Sequence, residues 1–224
     1  MHVLIVAATQ PEVGGLISDF GFSIADSDNN QLLTANRPLQ TINNCKLLIT
    51  GAGMVATAFA LGRHLATNTY DLVINLGIAG SFDHGIALGT VCEVTEDTLV
   101  ELGAEDDETF ITIDELGFGE SRFKATYNLP SSAHIKKVIA ATVNTVHGNE
   151  ASIQKLSSRV NAQLESMEGA AFFYACEQAG VPCVQIRSVS NYVEKRNRAA
   201  WQIGLAIKNL NTFAAELLRN LLKS

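Results

Sequence analysis

The sequence lacks the features that would take it to a membrane, a nucleic acid or a metal. No apolar run reaches the roughly 20 residues of a membrane span. Basic residues number 16 against 23 acidic ones, and a net charge of −7 disfavours nucleic acid or anionic lipid as the main partner. The cysteines Cys45, Cys92, Cys176 and Cys183 show no Cys-x-x-Cys spacing and sit in apolar runs. They read as buried free thiols of a cytoplasmic protein. The histidines have no metal-ligand spacing, so no metal is expected, and no cofactor motif stands out. The chain has no internal repeat and no linker rich in Pro, Gly or Ser, so residues 1–224 read as one domain. It opens on an apolar stretch without a basic leader, which reads as a first strand and not a signal peptide.

What is present is a core. Hydrophobic residues make up 47% of the chain and charged ones 17%, a balance that supports a sizeable buried interior. Short apolar runs at residues 3–8, 45–50, 71–78 and 181–190 have the length and continuity of strands buried on both faces. Residues 91–100 have β-type composition, residues 136–141 suit helix or strand, and residues 142–147 suit a strand. Helical patterns follow several of these, at 13–20, 54–66, 170–179 and 199–222. Alternation of this kind predicts an α/β fold: a single three-layer α/β/α domain with a mixed, mostly parallel central sheet, ligands collecting at the carboxyl ends of the strands. Between the first two strands, residues 26–30 read as a turn and 32–35 as an edge strand. The acidic run Glu105-Asp106-Asp107-Glu108 reads as a solvated loop.

Several residues at strand ends carry chemistry. Glu12 follows Pro11 where the first strand gives way to a helix, and Glu168 precedes the apolar helix at 170–179. Each reads either as a helix-start acid, favoured by the helix dipole, or as a carboxylate offering acceptors to a ligand. Gly51-Ala52-Gly53 follows a strand and opens a helix. The third glycine of a dinucleotide fingerprint is missing, so the stretch reads as a tight turn. Gly77 and Gly80 would permit close backbone approach at the end of their strand, or merely form a turn. His147 reads as a core or rim histidine.

Met167-Glu168-Gly169-Ala170-Ala171 resembles the ribose-binding segment of the nucleoside phosphorylase and nucleosidase superfamily. The resemblance implies that Glu168, with Met167 beside it, grips the 2′- and 3′-hydroxyls of a nucleoside. It also implies that Glu12 positions and deprotonates an attacking water, as in the hydrolase branch. Gly77-Ile78-Ala79-Gly80 is similar to the glycine motif beside the nucleophile pocket, which assigns Ile78, Ala79 and Gly80 to substrate binding. Two departures stand out. Asn75 replaces the phosphate-binding arginine of the phosphorylases, and Ile78 replaces a hydroxyl residue. Both remove anion ligands and favour water as nucleophile. The relatives bring backbone groups to the purine near Ala151 and Ser152, and cover the 5′ side from the region holding Phe118 and Phe123, often from a neighbouring subunit. A homodimer or higher homo-oligomer is therefore implied.

Ser190-Asn191 departs from the Ser-Asp pair of the adenine-releasing nucleosidases. A carboxamide donates and accepts at once but has no transferable proton, a pattern suited to a 6-oxopurine. Residues 190–201 resemble the futalosine hydrolase branch of the superfamily. The implied reaction is hydrolysis of the N-glycosidic bond of futalosine, releasing hypoxanthine on an alternative menaquinone route. Arg196 and Arg198, with Lys195, are candidates for the benzoate on the substrate's 5′ side; a solvated loop fits them equally. Three alternatives stay open: an adenine-releasing nucleosidase, an oxopurine nucleoside phosphorylase, and a non-catalytic purine-nucleoside binder.

Overall fold

The computed structural model describes residues 1–20, 24–25, 44–130 and 134–222. The predicted turn at 26–30 and edge strand at 32–35 lie outside the described residues. In chain order the elements are β1 (Val3–Ala7), a 3-10 turn (Gln10–Val13), α1 (Gly14–Phe20), β2 (Ile24–Ala25), β3 (Cys45–Ile49) and α2 (Met54–Leu65). Next come β4 (Leu72–Ser81), β5 (Val91–Leu99), β6 (Gly103–Asp106), β7 (Thr109–Thr112), β8 (Arg122–Lys124) and β9 (Lys136–Thr142). The rest are α3 (Glu150–Ser157), β10 (Leu164–Ser166), α4 (Gly169–Gln178), β11 (Cys183–Tyr192), a 3-10 turn (Arg198–Ala200) and α5 (Ile203–Leu221).

Among the described residues a nine-stranded sheet runs β10–β9–β5–β11–β4–β1–β3–β2, with β8 on β5. Most neighbours are parallel; β5 is antiparallel to β11 and to β8. Period-two alternation sorts each central strand onto two cores. Leu4, Val6 and Val73 pack with Leu61 and Leu65 of α2 and with Phe172 and Phe173 of α4. Val3, Ile5, Leu72 and Ile74 pack with Leu16 and Phe20 of α1 and with Leu210 and Leu218 of α5. An α/β/α sandwich follows, because strands apolar on both faces need helices on both faces. The fold class expected from the sequence is the one found.

The feature that positions the site is a branch in β4. Its first half pairs with β1, from Val3 opposite Leu72 to Val6 opposite Asn75. Its end pairs instead with β10, antiparallel, Glu165 opposite Gly80. Between these stations β4 leaves one neighbour and gains another, while β11 stays in register along its length except for a bulge near Asn191.

Three expectations need correction. The strand predicted at 142–147 ends at Thr142, because Asn144 gives both its backbone N–H and its side-chain Nδ2 to Glu101 (2.7 and 2.9 Å), drawing the chain out of the sheet. The acidic run is not a loop. Glu105 and Asp106 belong to the hairpin β6–β7, and Asp107 at its turn takes φ +52°, a left-handed conformation that Asp tolerates. Phe123 is not part of a lid; it is buried in β8, edge-on to Tyr174 of α4. Phe118 is exposed.

Candidate functional site

Glu12 lies in the 3-10 turn that follows β1, and is 8% exposed. Its two oxygens face different ways. Oε2 accepts from the backbone N–H and the hydroxyl of Thr9 (2.9 and 2.8 Å), as a helix-start acid does. Oε1 accepts from the backbone N–H of Ile78 (3.2 Å), on the part of β4 that has left β1. Asn211 of α5 clamps the turn from below, donating to the Glu12 carbonyl (2.8 Å). One half of the carboxylate thus serves as a helix-start acid, and the other is held by β4.

Glu168 stands at the N-cap of α4, but its side chain makes no capping bond there. Oε1 instead accepts from the N–H of Gly53 (3.0 Å). Gly51 and Gly53 hold φ of +87° and +93°, so the turn before α2 needs glycine to present that N–H. The start of α4 is satisfied otherwise: Ala170 N–H donates to the Thr142 hydroxyl (2.8 Å). Glu168 is thus freed from capping duty and is 7% exposed.

Between the two acids lies a residue that the sequence reading passed over. Arg187 of β11 is 1% exposed. Its Nη1 is 3.7 Å from Oε2 of Glu168. A Cβ on Gly77 would collide with that Nη1 and stand 3.1 Å from Glu12 Oε1, so the guanidinium and the Glu12 carboxylate both face the space beneath Gly77. Its Nη2 donates to Asn75 Oδ1 (2.6 Å), and its Nε donates to Gln185 Oε1 (2.8 Å). Asn75 in turn donates to the Val6 carbonyl (3.1 Å). The residue read as a lost phosphate ligand is a buried tether for an arginine two strands from β1. The signal was available: an arginine within the apolar run 181–190 needs a partner, and Gln185 and Asn75 are both polar residues in buried strands.

The other predicted residues lie further along the strands. Gly80 is opposite Asn191, whose Nδ2 would be 3.1 Å from a Cβ there. The Asn191 amide is turned onto its own strand, donating to the Tyr192 carbonyl (3.0 Å) and accepting from Ser190 Oγ (2.8 Å). The same hydroxyl lies 3.2 Å from the Ala79 carbonyl, which competes for its one proton. Met167 is half-buried beside Glu168. Ala151 and Ser152 open α3, and both N–H groups go to Asn149 Oδ1 (3.0 and 3.3 Å). Arg196 and Arg198 are exposed and flank the Trp201 ring, at 5.1 and 5.9 Å from its centre. Arg196 N–H reaches the Gly148 carbonyl (3.1 Å), tying this loop to the one before α3. His147, in that same loop, is paired through Nδ1 with buried Glu165, whose carboxyl is raised by burial.

The cluster gathers two fixed acceptors, just past the carboxyl ends of β1 and β10, near one fixed cation midway along β11, on the side of the sheet where α/β folds bind small ligands. Such a site suits the capture of a polyol and a water molecule. The chain belongs to the phosphorylase superfamily, whose family model matches residues 41–223. Within it, the chain is similar to the futalosine hydrolase of Thermus thermophilus, 31% identical over 179 residues, 76% of this chain and 80% of that one. It is 34% identical to the futalosine hydrolase of Streptomyces coelicolor over 158 residues, 66% of this chain and 65% of that protein's length. The fold is similar to that of 5'-methylthioadenosine/S-adenosylhomocysteine nucleosidase from Helicobacter pylori with butyl-thio-DADMe-Immucillin-A: TM-score 0.80, 16% identity, 98% of each chain covered.

Proposed function

We propose that this protein hydrolyses the N-glycosidic bond of futalosine and releases hypoxanthine, as one nucleoside phosphorylase-like domain. The observation that carries the reading is the Glu12–Arg187–Glu168 cluster, in a chain about a third identical to futalosine hydrolases. Glu168 accepts hydrogen bonds from the ribose 2′- and 3′-hydroxyls. Glu12 takes the proton of a water attacking C1′, its Oε2 already held by Thr9. General-base help of this kind is worth about 10² to 10⁴ in rate. Arg187 lies beside Glu168, and Glu12 is held by Thr9 and Ile78, so little reorganisation is needed as the ribosyl group becomes oxocarbenium-like.

Water is the better nucleophile on electrostatic grounds. Two carboxylates around one guanidinium leave the cluster net negative, and Asn75 is already bound to Arg187 and Val6. A phosphate dianion would be repelled there; a neutral water would not. Asn191 supports an oxopurine: its NH₂ can turn to the 6-oxo oxygen while its carbonyl accepts from a protonated N7. Arg196 and Arg198 are placed in this reading near the carboxylate of the 5′ substituent, with Ile78, Ala79, Gly80, Ala151 and Ser152 lining the path of sugar and base.

The reading includes a cytoplasmic location on an alternative menaquinone route, supported by four buried free cysteines; no described helix is long and apolar enough to cross a membrane. It also includes a homodimer or larger homo-oligomer, supported by Val55 and Phe59 of α2, which are 78% and 67% exposed. The test is incubation with futalosine, inosine and methylthioadenosine, each with and without phosphate. Hypoxanthine from futalosine at a rate indifferent to phosphate is expected. Adenine from methylthioadenosine as the preferred product, or release that requires phosphate, would overturn the reading.

A further inference from the structure

Behind Arg187 runs a chain of buried polar groups that ends on a carboxylate assigned no contact with the substrate. Gln185 Nε2 donates to Asp97 Oδ2 (3.0 Å), and Thr142 Oγ1 donates to Asp97 Oδ1 (2.8 Å). Asp97, Thr142 and Gln185 are fully buried. The Gln185 amide has one workable orientation. Its oxygen accepts from Arg187 Nε, and its NH₂ donates to Asp97. Flipping it would set donor against donor at Arg187 and acceptor against acceptor at Asp97. The chain therefore has a direction, and the carboxylate at its far end fixes that direction.

The same carboxylate is pressed against the start of α4. A Cβ on Gly169 would overlap Asp97 Oδ2 and Gln185 Oε1, so glycine at the first residue of the helix is what lets the chain pass there. Thr142, which donates to Asp97, accepts from Ala170 N–H. Glu168 is the residue immediately before this point. Burial raises the Asp97 carboxyl to about 6, opposed by the bonds from Gln185 and Thr142 and by the charge of Arg187.

We propose that Asp97 is a positioning residue for the hydrolysis proposed above. Through Gln185 it turns the Arg187 guanidinium so that Nη1 faces Glu12 and Glu168. Through Thr142 it fixes the first turn of α4, and with it Glu168. Arg187 is then held at Nε by Gln185 and at Nη2 by Asn75, which leaves Nη1 for the site. The inference rests on the proposed function for its assay, but not for its geometry.

The test compares wild type with Asp97→Asn and with the double variant Asp97→Asn/Gln185→Glu. The single change keeps the size of the side chain but lets Gln185 flip. A loss of about 10²-fold in kcat with KM unchanged is expected, the scale of a small misplacement of reacting groups. In the double variant a carboxylate at 185 accepts from Arg187 and from the new amide at 97, so most of kcat should return. KM rising with kcat unchanged, or no recovery in a double variant that melts at the wild-type temperature, would overturn the proposal. Should wild type cleave no nucleoside, the proposed function fails. The positioning claim is then read from crystal structures alone: Arg187 displaced in Asp97→Asn and restored in the double variant supports it, and an unmoved Arg187 rejects it.

Discussion

The two ends of the candidate site are built differently. At the Gly77 end, Glu12, Arg187 and Glu168 are nearly inaccessible, and each is held by bonds from a separate element: the turn after β1, the strands β4 and β11, and the turn before α2. At the Asn191 end the polar groups are satisfied locally. Asn191 bonds to its own strand, Ala151 and Ser152 bond to their own N-cap, and Arg196 and Arg198 lean on Trp201. The first end is preorganised and makes no room for alternatives. The second must give up local bonds before it can bind a base. On the proposed function, chemistry common to all ribosides falls at the first, and discrimination between bases and 5′ groups at the second.

The comparison can be broken by substitution, and the largest effects should fall at the Gly77 end. Glu12→Gln should lower kcat by about 10² to 10⁴, because an amide cannot take the proton of water. KM should change little, and steady-state hypoxanthine release measures both. Gly77→Ala places a methyl group on Arg187 Nη1, so kcat should fall by about 10²-fold as the cation is displaced. A Gly77→Ala variant of full activity would show that Arg187 need not hold its place.

At the Asn191 end the expected changes concern selectivity. Asn191→Asp should move the ratio of kcat/KM for adenine over hypoxanthine nucleosides upward by about 10- to 10²-fold. Competition assays with paired substrates measure that ratio directly. Arg196→Ala should raise KM for substrates carrying a 5′ carboxylate only a few-fold, an effect that added salt should erase, since an exposed ion pair is worth about 0–1 kcal/mol. A separate effect concerns stability. The fold raises the Asp97 carboxyl from 3.8 to about 6, so the native state holds that proton more tightly than the unfolded chain. The resulting stabilisation is complete below about 4 and is lost as pH rises through about 6. Asp97→Asn should flatten that part of the melting-temperature curve.

The fold was legible because strands buried on both faces are continuous apolar runs, and β1, β3, β4 and β11 are such runs. The acids Glu12 and Glu168 were legible as strand-end and helix-start residues. The arginine between them was less legible, because it stands singly within an apolar run. The bonds from Asn75 and Gln185 to Arg187 connect residues distant in sequence, and no local period records them. The hairpin β6–β7 escaped for a different reason. Its acidic strands carry a solvated composition, and its pairing is decided by the turn at Asp107 and not by hydrophobic alternation. A cavity of about 650 Å³ beside that hairpin is lined by Phe110, Asp114 and Arg159 and by none of the predicted site residues, so size alone does not mark the site.

On the proposed function, Glu12 and Glu168 address one riboside, with Arg187 between them. A crystal structure of Glu12→Gln soaked with futalosine tests it most directly. Expected are both ribose hydroxyls on the Glu168 carboxylate, C1′ above Gly77, and a water between C1′ and the side chain at position 12. A riboside bound with its hydroxyls away from Glu168, or with position 12 remote from C1′, would contradict it.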